Sequence, residues 1–227
     1  TLFPYTTLFR SANARHEPIP VFAEMSSLNP VFILPGALRE RGAQIAQGLK
    51  TSMTMGVGQF CTKPGLVFAA AAEGWDAFRT ELARAMEAAP CATMLHAGIS
   101  GAFTSAVVAV QSRAGVHVLA RAGQEPGDKP TQGQPILLEA NSETFLGEPL
   151  LHEELFGPAG VLVKAADAAE LLRLAESLDG QLTATIHATD HDLQGAGDLL
   201  ALLERKAGRV LLNGFPTGVE VCHAMQH

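Results

Sequence analysis

Cysteine, positive charge and long apolar runs are all scarce in this sequence. Three cysteines among 227 residues exclude a disulfide framework and favour a reducing compartment, and we therefore expect the cytoplasm. Lysine and arginine number 16 against 23 acidic residues, and the net charge of −7 without a basic block argues against nucleic-acid binding. No run of about 18 apolar residues occurs, so we expect no membrane span. Glycine and proline, at 22 and 13 residues, stay near ordinary levels, which excludes a collagen-like or low-complexity chain.

Short apolar runs alternate with stretches of helical periodicity along most of the chain. The clearest helix carries Trp75, Phe78, Leu82 and Met86 on one face and stops before Pro90. Apolar strands separated by helices are typical of a parallel sheet, so we predict a single α/β fold. The predicted strands are 19–22, 31–34, 66–70, 116–119, 136–138, 161–163, 182–187 and 210–212. The predicted helices are 37–55, 75–89, 98–113, 167–178 and 192–206. Residues 122–135 are a predicted surface loop.

Neither end of the sequence has the features expected of a natural protein terminus. Residues 1–11, TLFPYTTLFRS, match the in-frame translation of a common sequencing-adapter oligonucleotide, and we interpret them as an assembly artefact rather than as a signal peptide. The last residues, 225–227, carry no helix stop signal. We therefore interpret the sequence as an internal fragment of a longer protein.

Cys61 is the first candidate for chemistry. It lies in GQFCTKPG, residues 58–65, between a glycine-rich turn and a proline. Loop amides and the neighbouring Lys63 could lower the pKa of its thiol and make it a nucleophile. Most lone cysteines are packed as small apolar side chains, so the local pattern by itself leaves both interpretations open.

Acidic residues supply two further candidates. Glu24 follows the apolar run 19–23, so we expect it at the carboxyl end of a strand, where ligands of parallel sheets collect and a partly buried carboxylate can act as a general base. The pair Glu153 and Glu154 precedes Phe-Gly-Pro, and its carboxylates could accept hydrogen bonds from ribose hydroxyls. An ordinary solvated strand end and a charged loop are the alternatives.

Two other patterns are discounted. His187 and His191 have the spacing of helical metal ligands, but a strand end and a turn intervene, so we expect no metal site. Gly56 and Gly58 lack the third glycine and the preceding strand of a dinucleotide-binding fingerprint.

Four segments together resemble the aldehyde dehydrogenase superfamily in sequence and order. They are EMSSLNP at 24–30, GQFC at 58–61, EELFGP at 153–158 and NGFPTG at 213–218. The intervals of 37 residues from Glu24 to Cys61 and 93 from Cys61 to Glu154 are typical of that family. The resemblance extends from about residue 17 to residue 227 and implies the parallel-sheet catalytic domain of the family's fold.

The resemblance also implies a role for each candidate residue. Cys61 would attack the aldehyde carbon, and its backbone N–H would hold the oxyanion together with an asparagine that lies upstream of this chain. Glu24 would activate the water that hydrolyses the resulting thioester. Glu154 and Phe156 would bind the nicotinamide ribose and pack beside the nicotinamide. The residues implied to line the substrate tunnel are Phe60, Thr62 and Phe215.

Departures from the usual motifs narrow the resemblance within the family. EMSSLNP replaces the more common ELGGK pattern, and this change together with GQFCTKPGL and NGFPTGVEV is most like the members that oxidise α-ketoglutarate semialdehyde (2,5-dioxovalerate) to 2-oxoglutarate. The resemblance implies NADP or NAD as cofactor, a small aldehyde as substrate, and a dimer or tetramer as the assembly of the intact parent. An acidic substrate calls for a cationic anchor, but Lys63, Arg113 and Arg121 cannot be placed from sequence.

The resemblance also implies a division of the chain into parts. Residues 12–26 would be the end of a dinucleotide-binding domain, and residues 27–227 a catalytic domain that is truncated at its end. Most of the dinucleotide-binding domain would lie before the Glu24 position. We therefore expect this chain neither to bind NADP tightly nor to turn over aldehyde.

Three alternatives remain open from the sequence. The intact enzyme could act on a different semialdehyde or a medium-chain aldehyde. The chain could be an α/β module that keeps the fold without the chemistry. It could also be a cysteine hydrolase that uses Cys61 and Glu24 without a cofactor.

Overall fold

The computed structural model describes residues 4–21, 26–127 and 131–218. The chain divides into two compact units, one formed by residues 1–26 with 219–227 and the other by residues 27–218. In the first unit a helix, α1, spans Pro4–Asn13, within and just beyond the segment that was set aside as an artefact.

The predicted strand 19–22 is wrong in its described part, because residues 19–21 lie in no strand. Pro18 and Pro20 flank Ile19, and neither has an N–H group to donate to a sheet ladder. Phe22 and the candidate base Glu24 lie outside the described residues.

The second unit is built around a seven-stranded, mostly parallel sheet. The strand order is β4-β6-β7-β2-β1-β8-β9, and every neighbouring pair is parallel except β4 with β6. The prediction of an α/β fold is therefore confirmed. The strands are β1 Val31–Ile33, β2 Leu66–Ala70, β4 His117–Arg121, β6 Ile136–Asn141, β7 Ala159–Ala165, β8 Gln181–His187 and β9 Ala207–Leu212, with a separate short ladder of β3 Ala92–Thr93 and β5 Gln132–Gly133.

Helices cover both faces of the sheet and bury its apolar side chains. Along β1, Phe32 belongs to one core while Val31 and Ile33 belong to the other, as the alternation of side chains along a strand requires. Phe32 stacks on Phe68 of β2 with ring centroids 5.0 Å apart. The helices of this unit are α2 Pro35–Thr54, α3 Trp75–Glu87, α4 Ala97–Gln111, α5 Ser142–Gly147, α6 Ala168–Ser177, α7 Asp190–Gln194 and α8 Gly197–Lys206, with 3-10 turns at Met55–Gly58 and Pro149–His152.

The predicted helix 192–206 is two helices in the structure. A reciprocal capping box between Thr189 and Asp192 starts α7, and the Gly195–Ala196 step separates it from α8. The predicted loop 122–135 contains the short strand β5, which pairs with β3. None of the described helices is long and apolar enough to cross a membrane.

Candidate active site

The candidate motifs collect where the central strands begin. Asn29 lies two residues before β1, Cys61 precedes β2, and the EELFGP segment ends directly before β7. These three strands are neighbours in the sheet order β7-β2-β1, so their amino ends share one edge. The expected position of Glu24 at a carboxyl end stays a prediction, because Glu24 lies outside the described residues.

Cys61 lies in a tight turn that we call the nucleophile turn, residues 60–63. The backbone N–H of Lys63 donates to the carbonyl oxygen of Phe60 at 3.0 Å and closes the turn. A 3-10 turn leads into it, and Gly56, Val57 and Gly58 all have positive φ there. Cys61 is half-buried, so the turn keeps the thiol at the boundary between the core and the surface.

The segment 153–158, which we call the acidic loop, packs directly on the approach to the nucleophile turn. Gly58 is buried, and a Cβ placed on it would overlap the carbonyl group of Gly157 and crowd the nitrogen of Pro158. Gly157 is equally tight, because a Cβ there would overlap the ring of Phe103. Gly58 is therefore required by a backbone contact, and Gly157 by the packing of the Phe103 ring.

Lys63 ties the same two segments together from inside the protein. Its side chain is fully buried, and Nζ donates to the carbonyl oxygens of Leu155 and Ala159, each at 3.0 Å. Burial lowers the pKa of Lys63 to about 8, although the nearby negative charge of Glu154 opposes the shift. A buried ammonium bound to two carbonyls links the nucleophile turn to the acidic loop and is not an anchor for a substrate carboxylate.

The other cations considered for that anchor are also engaged elsewhere. The guanidinium of Arg121 donates to Gln111 and Gln134 at the protein surface, and Arg113 lies 3.8 Å from the carboxylate of Glu148. These contacts hold neither Arg113 nor Arg121 beside Cys61.

Asn29 holds the nucleophile turn from the other side. Its side-chain Nδ2 donates to the carbonyl oxygens of Cys61 at 2.8 Å and Lys63 at 3.0 Å. Its Oδ1 accepts from the hydroxyl of Thr183, on β8, at 2.9 Å. The side-chain oxygen of Gln181 accepts from the backbone N–H of Asn29 at 3.1 Å. The turn is thus attached to the start of β8 through one buried amide.

The segment 213–218 runs back along α2 towards the nucleophile turn. Asn213 accepts from Arg41 near the start of α2, and Thr217 bonds to the hydroxyl of Ser52 near its end, at 2.8 Å. The Thr217 hydroxyl also lies 3.5 Å from the carbonyl oxygen of Thr62. This segment therefore reaches the nucleophile turn through Thr217.

The ring of Phe215 occupies the middle of that segment. It packs over Gly48 of α2, where a Cβ would overlap it, and lies 5.1 Å from the ring of His187. His187 is buried, and neither of its ring nitrogens has a hydrogen-bond partner among the described residues.

The structure brings most of the sequence candidates together. Phe60, Cys61 and Thr62 share one turn, and Glu154 and Phe156 lie on the acidic loop that packs beside it. The rings of Phe60 and Phe156 are 39% and 36% exposed. Thr62 is buried, and its hydroxyl has no hydrogen-bond partner within the described residues.

Sequence reasoning did not find the tethers of this site. Asn29 was noticed only as part of a motif, and the bonds of its side chain reach residues 32, 34 and 154 positions away. From the sequence, Lys63 was interpreted only as a positive charge near Cys61 or an anchor for the substrate. Its complete burial shows that it instead binds the carbonyl oxygens of Leu155 and Ala159. In the part of the chain that the structure describes, no group of three or more His, Cys, Asp or Glu side chains is arranged to hold a metal ion.

The fold, the paired glycines and the cysteine turn define the class of protein. A model of the aldehyde dehydrogenase family matches residues 8–224, and the chain belongs to that family. It is 47% identical over 220 residues to alpha-ketoglutaric semialdehyde dehydrogenase 2 of Azospirillum brasilense and 46% identical over 221 residues to alpha-ketoglutaric semialdehyde dehydrogenase of Acinetobacter baylyi. Each match covers 97% of this chain but only 42% of the relative.

The solved structures agree with this assignment at the level of the fold. The delta-pyrroline-5-carboxylate dehydrogenase from Mycobacterium tuberculosis, solved with NAD, superposes with a TM-score of 0.75 at 18% identity. The match covers 96% of this chain and 40% of that one. The resemblance inferred from four short motifs is therefore confirmed for the family, for the fold and for the similarity to α-ketoglutaric semialdehyde dehydrogenases.

Proposed function

We propose that this chain carries the nucleophile and the cofactor-facing loop of an NAD(P)-dependent aldehyde dehydrogenase, and that the whole protein oxidises α-ketoglutarate semialdehyde to 2-oxoglutarate. The observation that carries the proposal is the double attachment of the acidic loop to the nucleophile turn. Gly58 contacts Gly157 directly, and Lys63 bonds to both ends of the segment 155–159. The segment that carries Cys61 is thereby attached to the segment that carries Glu154, the proposed ligand of the nicotinamide ribose.

Cys61 performs the covalent step in this proposal. Its thiolate attacks the aldehyde carbon to form a thiohemiacetal, whose oxyanion is held by the backbone N–H of Cys61 and by the upstream asparagine that the family resemblance implies. Loss of hydride leaves an acyl thioester on the sulfur. Water then hydrolyses the thioester, releasing the acid and regenerating the thiol. Glu24, which lies outside the described residues, is the proposed base for that water.

The acidic loop suits a nicotinamide nucleotide in its chemistry. Glu154 supplies carboxylate oxygens that accept hydrogen bonds from ribose hydroxyls, and the exposed part of Phe156 offers an apolar face to the nicotinamide. When bound, the nucleotide accepts the hydride. The residues proposed to contact the substrate are Phe60, Thr62 and Phe215, of which Thr62 presents a buried hydroxyl without a partner among the described residues.

The substrate assignment rests on the two relatives at 46–47% identity. Because the chain spans 42% of their length, we assign turnover to the whole protein and adduct formation to this chain. We propose that residues 12–26 end the dinucleotide-binding domain and that residues 27–227 belong to the catalytic domain. The change of compact unit after residue 26 supports the first boundary, whereas residues 219–227 group with residues 1–26. The whole protein is proposed to work in the cytoplasm as a dimer or tetramer.

Carbon-13 NMR of the 227-residue chain tests the covalent step without a cofactor. α-Ketoglutarate semialdehyde labelled at its aldehyde carbon is expected to give a thiohemiacetal signal in the wild type and none in Cys61→Ala. Cys91→Ala is the matched control and should retain the signal. An unchanged signal in Cys61→Ala would exclude Cys61 as the nucleophile. Dehydrogenase rates of the whole protein with this aldehyde and with succinate semialdehyde then test the substrate, and a faster rate with the latter would refute that assignment.

A further inference from the structure

Asn29 stands out because its side chain is completely buried while its backbone has a positive φ of 46°. Asparagine tolerates that conformation better than most residues. Its amide group is fully used, with Nδ2 bonded to the carbonyl oxygens of Cys61 and Lys63 and Oδ1 bonded to Ser27 and Thr183. One side chain therefore joins the beginnings of two strands to the nucleophile turn.

Hydrogen bonds hold the peptide groups on both sides of Cys61, one of them within the turn and the other from Asn29. A trans peptide is planar, and its C=O and N–H point in opposite directions. Because the Phe60 carbonyl faces Lys63 across the turn, the N–H of Cys61 is directed out of the turn. The Cys61 carbonyl accepts from Asn29, and this bond restrains rotation of the peptide that follows Cys61.

We propose that Asn29 is a positioning residue for acyl transfer at Cys61: its amide holds the nucleophile turn so that the Cys61 N–H faces the developing oxyanion. The inference rests on the proposed function, in which Cys61 is the nucleophile. Asn29 itself touches neither substrate nor cofactor in this role. Its effect is confined to reactions that pass through a tetrahedral oxyanion.

Two reagents separate that effect from ordinary thiol reactivity. p-Nitrophenyl acetate acetylates a thiolate: the sulfur bonds to the carbonyl carbon through an oxyanion, and p-nitrophenolate leaves as the C–O bond breaks. Iodoacetamide alkylates the same thiolate by direct displacement of iodide, without an oxyanion. Both rates are measured at Cys61 of the 227-residue chain by peptide mass spectrometry, on the alkaline plateau where the thiol is ionised.

Asn29→Gly removes the amide and accepts the positive φ without strain. We expect acetylation of Cys61 to fall by about 10-fold or more, in line with the loss of an oxyanion donor, while alkylation changes less than about 3-fold. The matched control is Thr183→Val, which removes a buried hydrogen bond to Asn29 but leaves both bonds to the turn. It is expected to keep the wild-type ratio of the two rates.

A purely structural role for Asn29 predicts a different result. Equal loss of both rates in Asn29→Gly, or no loss of acetylation, would overturn the inference. If that variant fails to fold, Asn29→Asp keeps the acceptor bonds to Ser27 and Thr183 and loses both donor bonds to the turn. The ratio of acetylation to alkylation rates then decides in the same way. Absence of acetylation at Cys61 in the wild type would instead refute the proposed function, and this inference with it.

Discussion

Gly58 and Gly157 meet backbone to backbone, and this contact joins the cysteine motif to the acidic loop. Gly58 adopts a φ of +66°, and a Cβ there would overlap the Gly157 carbonyl. Two motifs separated by about a hundred residues in sequence thus pack against each other ahead of β2 and β7.

Gly58→Ala is expected to destabilise the chain by about 1–3 kcal/mol, because the new methyl group meets backbone that cannot move aside and because φ is positive. Urea unfolding monitored by circular dichroism measures the change. Gly101→Ala is the control, since a Cβ at this helical position has nothing within 4 Å. It is expected to be neutral or slightly stabilising. Equal stability of the two variants would show that the contact is loose in solution.

Lys63 gives the protein a distinctive response to alkaline pH. Its pKa is lowered by burial from 10.5 to about 8, so between these values the unfolded chain holds a proton that the folded chain has lost. The free energy of unfolding therefore rises with pH across this window, and Lys63 contributes about 3 kcal/mol to the rise. The urea unfolding midpoint of the wild type is expected to rise from pH 7.5 to 10. The midpoint of Lys63→Met is expected to rise less over the same range.

The exposed Lys164 supplies the control for that measurement. Lys164→Met is expected to keep the wild-type pH dependence, because the side chain lies at the surface. If Lys63→Met and the wild type show parallel curves, the ammonium is hydrated and does not tether the acidic loop.

His187 is expected to make the chain sensitive to acid. Burial and the nearby charge of Arg41 lower the pKa of His187 from 6.5 to about 4. Between pH 6.5 and 4 the unfolded chain takes up a proton that the folded chain excludes, so stability falls as the pH falls, by about 3 kcal/mol from this group. Thermal unfolding of His187→Asn across this range is expected to show a weaker dependence.

His191→Asn serves as its control, because His191 lies exposed at the surface. It is expected to follow the wild-type curve. A wild-type curve that is flat from pH 6.5 to 4 would mean that water reaches the His187 ring, which the packing of Phe215 beside it is expected to prevent.

The local pattern of apolar residues predicts a strand or helix well where the conformational propensities of the residues favour the same element. Strand β2 at 66–70 and the helix that begins at Trp75 match the prediction, because apolar runs and a regular apolar stripe leave few alternatives. The run beginning at Ile19 fails, since its prolines cannot donate to a ladder. The helix α5 at Ser142–Gly147 was not predicted, because six residues are too few to establish a helical period.

The candidate site could be predicted only in part from the sequence. Motif order singled out Cys61 and Glu154 as candidates, but did not predict the edge of the sheet at which their segments meet. The roles of Asn29 and Lys63 come from bonds to distant strands and from complete burial, neither of which leaves a local pattern. Long-range hydrogen bonds of this kind are the part of an active site that the sequence records least directly.

Acetylation of the 227-residue chain by p-nitrophenyl acetate, mapped to individual cysteines by mass spectrometry, tests the central claim most directly. Burial and the charge of Glu125 raise the pKa of Cys91, whereas Cys61 lies in the turn proposed to hold the nucleophile. We predict that Cys61 reacts at least about 10-fold faster than Cys91, and that Cys61→Ala abolishes the rapid release of p-nitrophenolate. Equal labelling of the two cysteines, or rapid release that persists in Cys61→Ala, would contradict the assignment of Cys61 as the nucleophile.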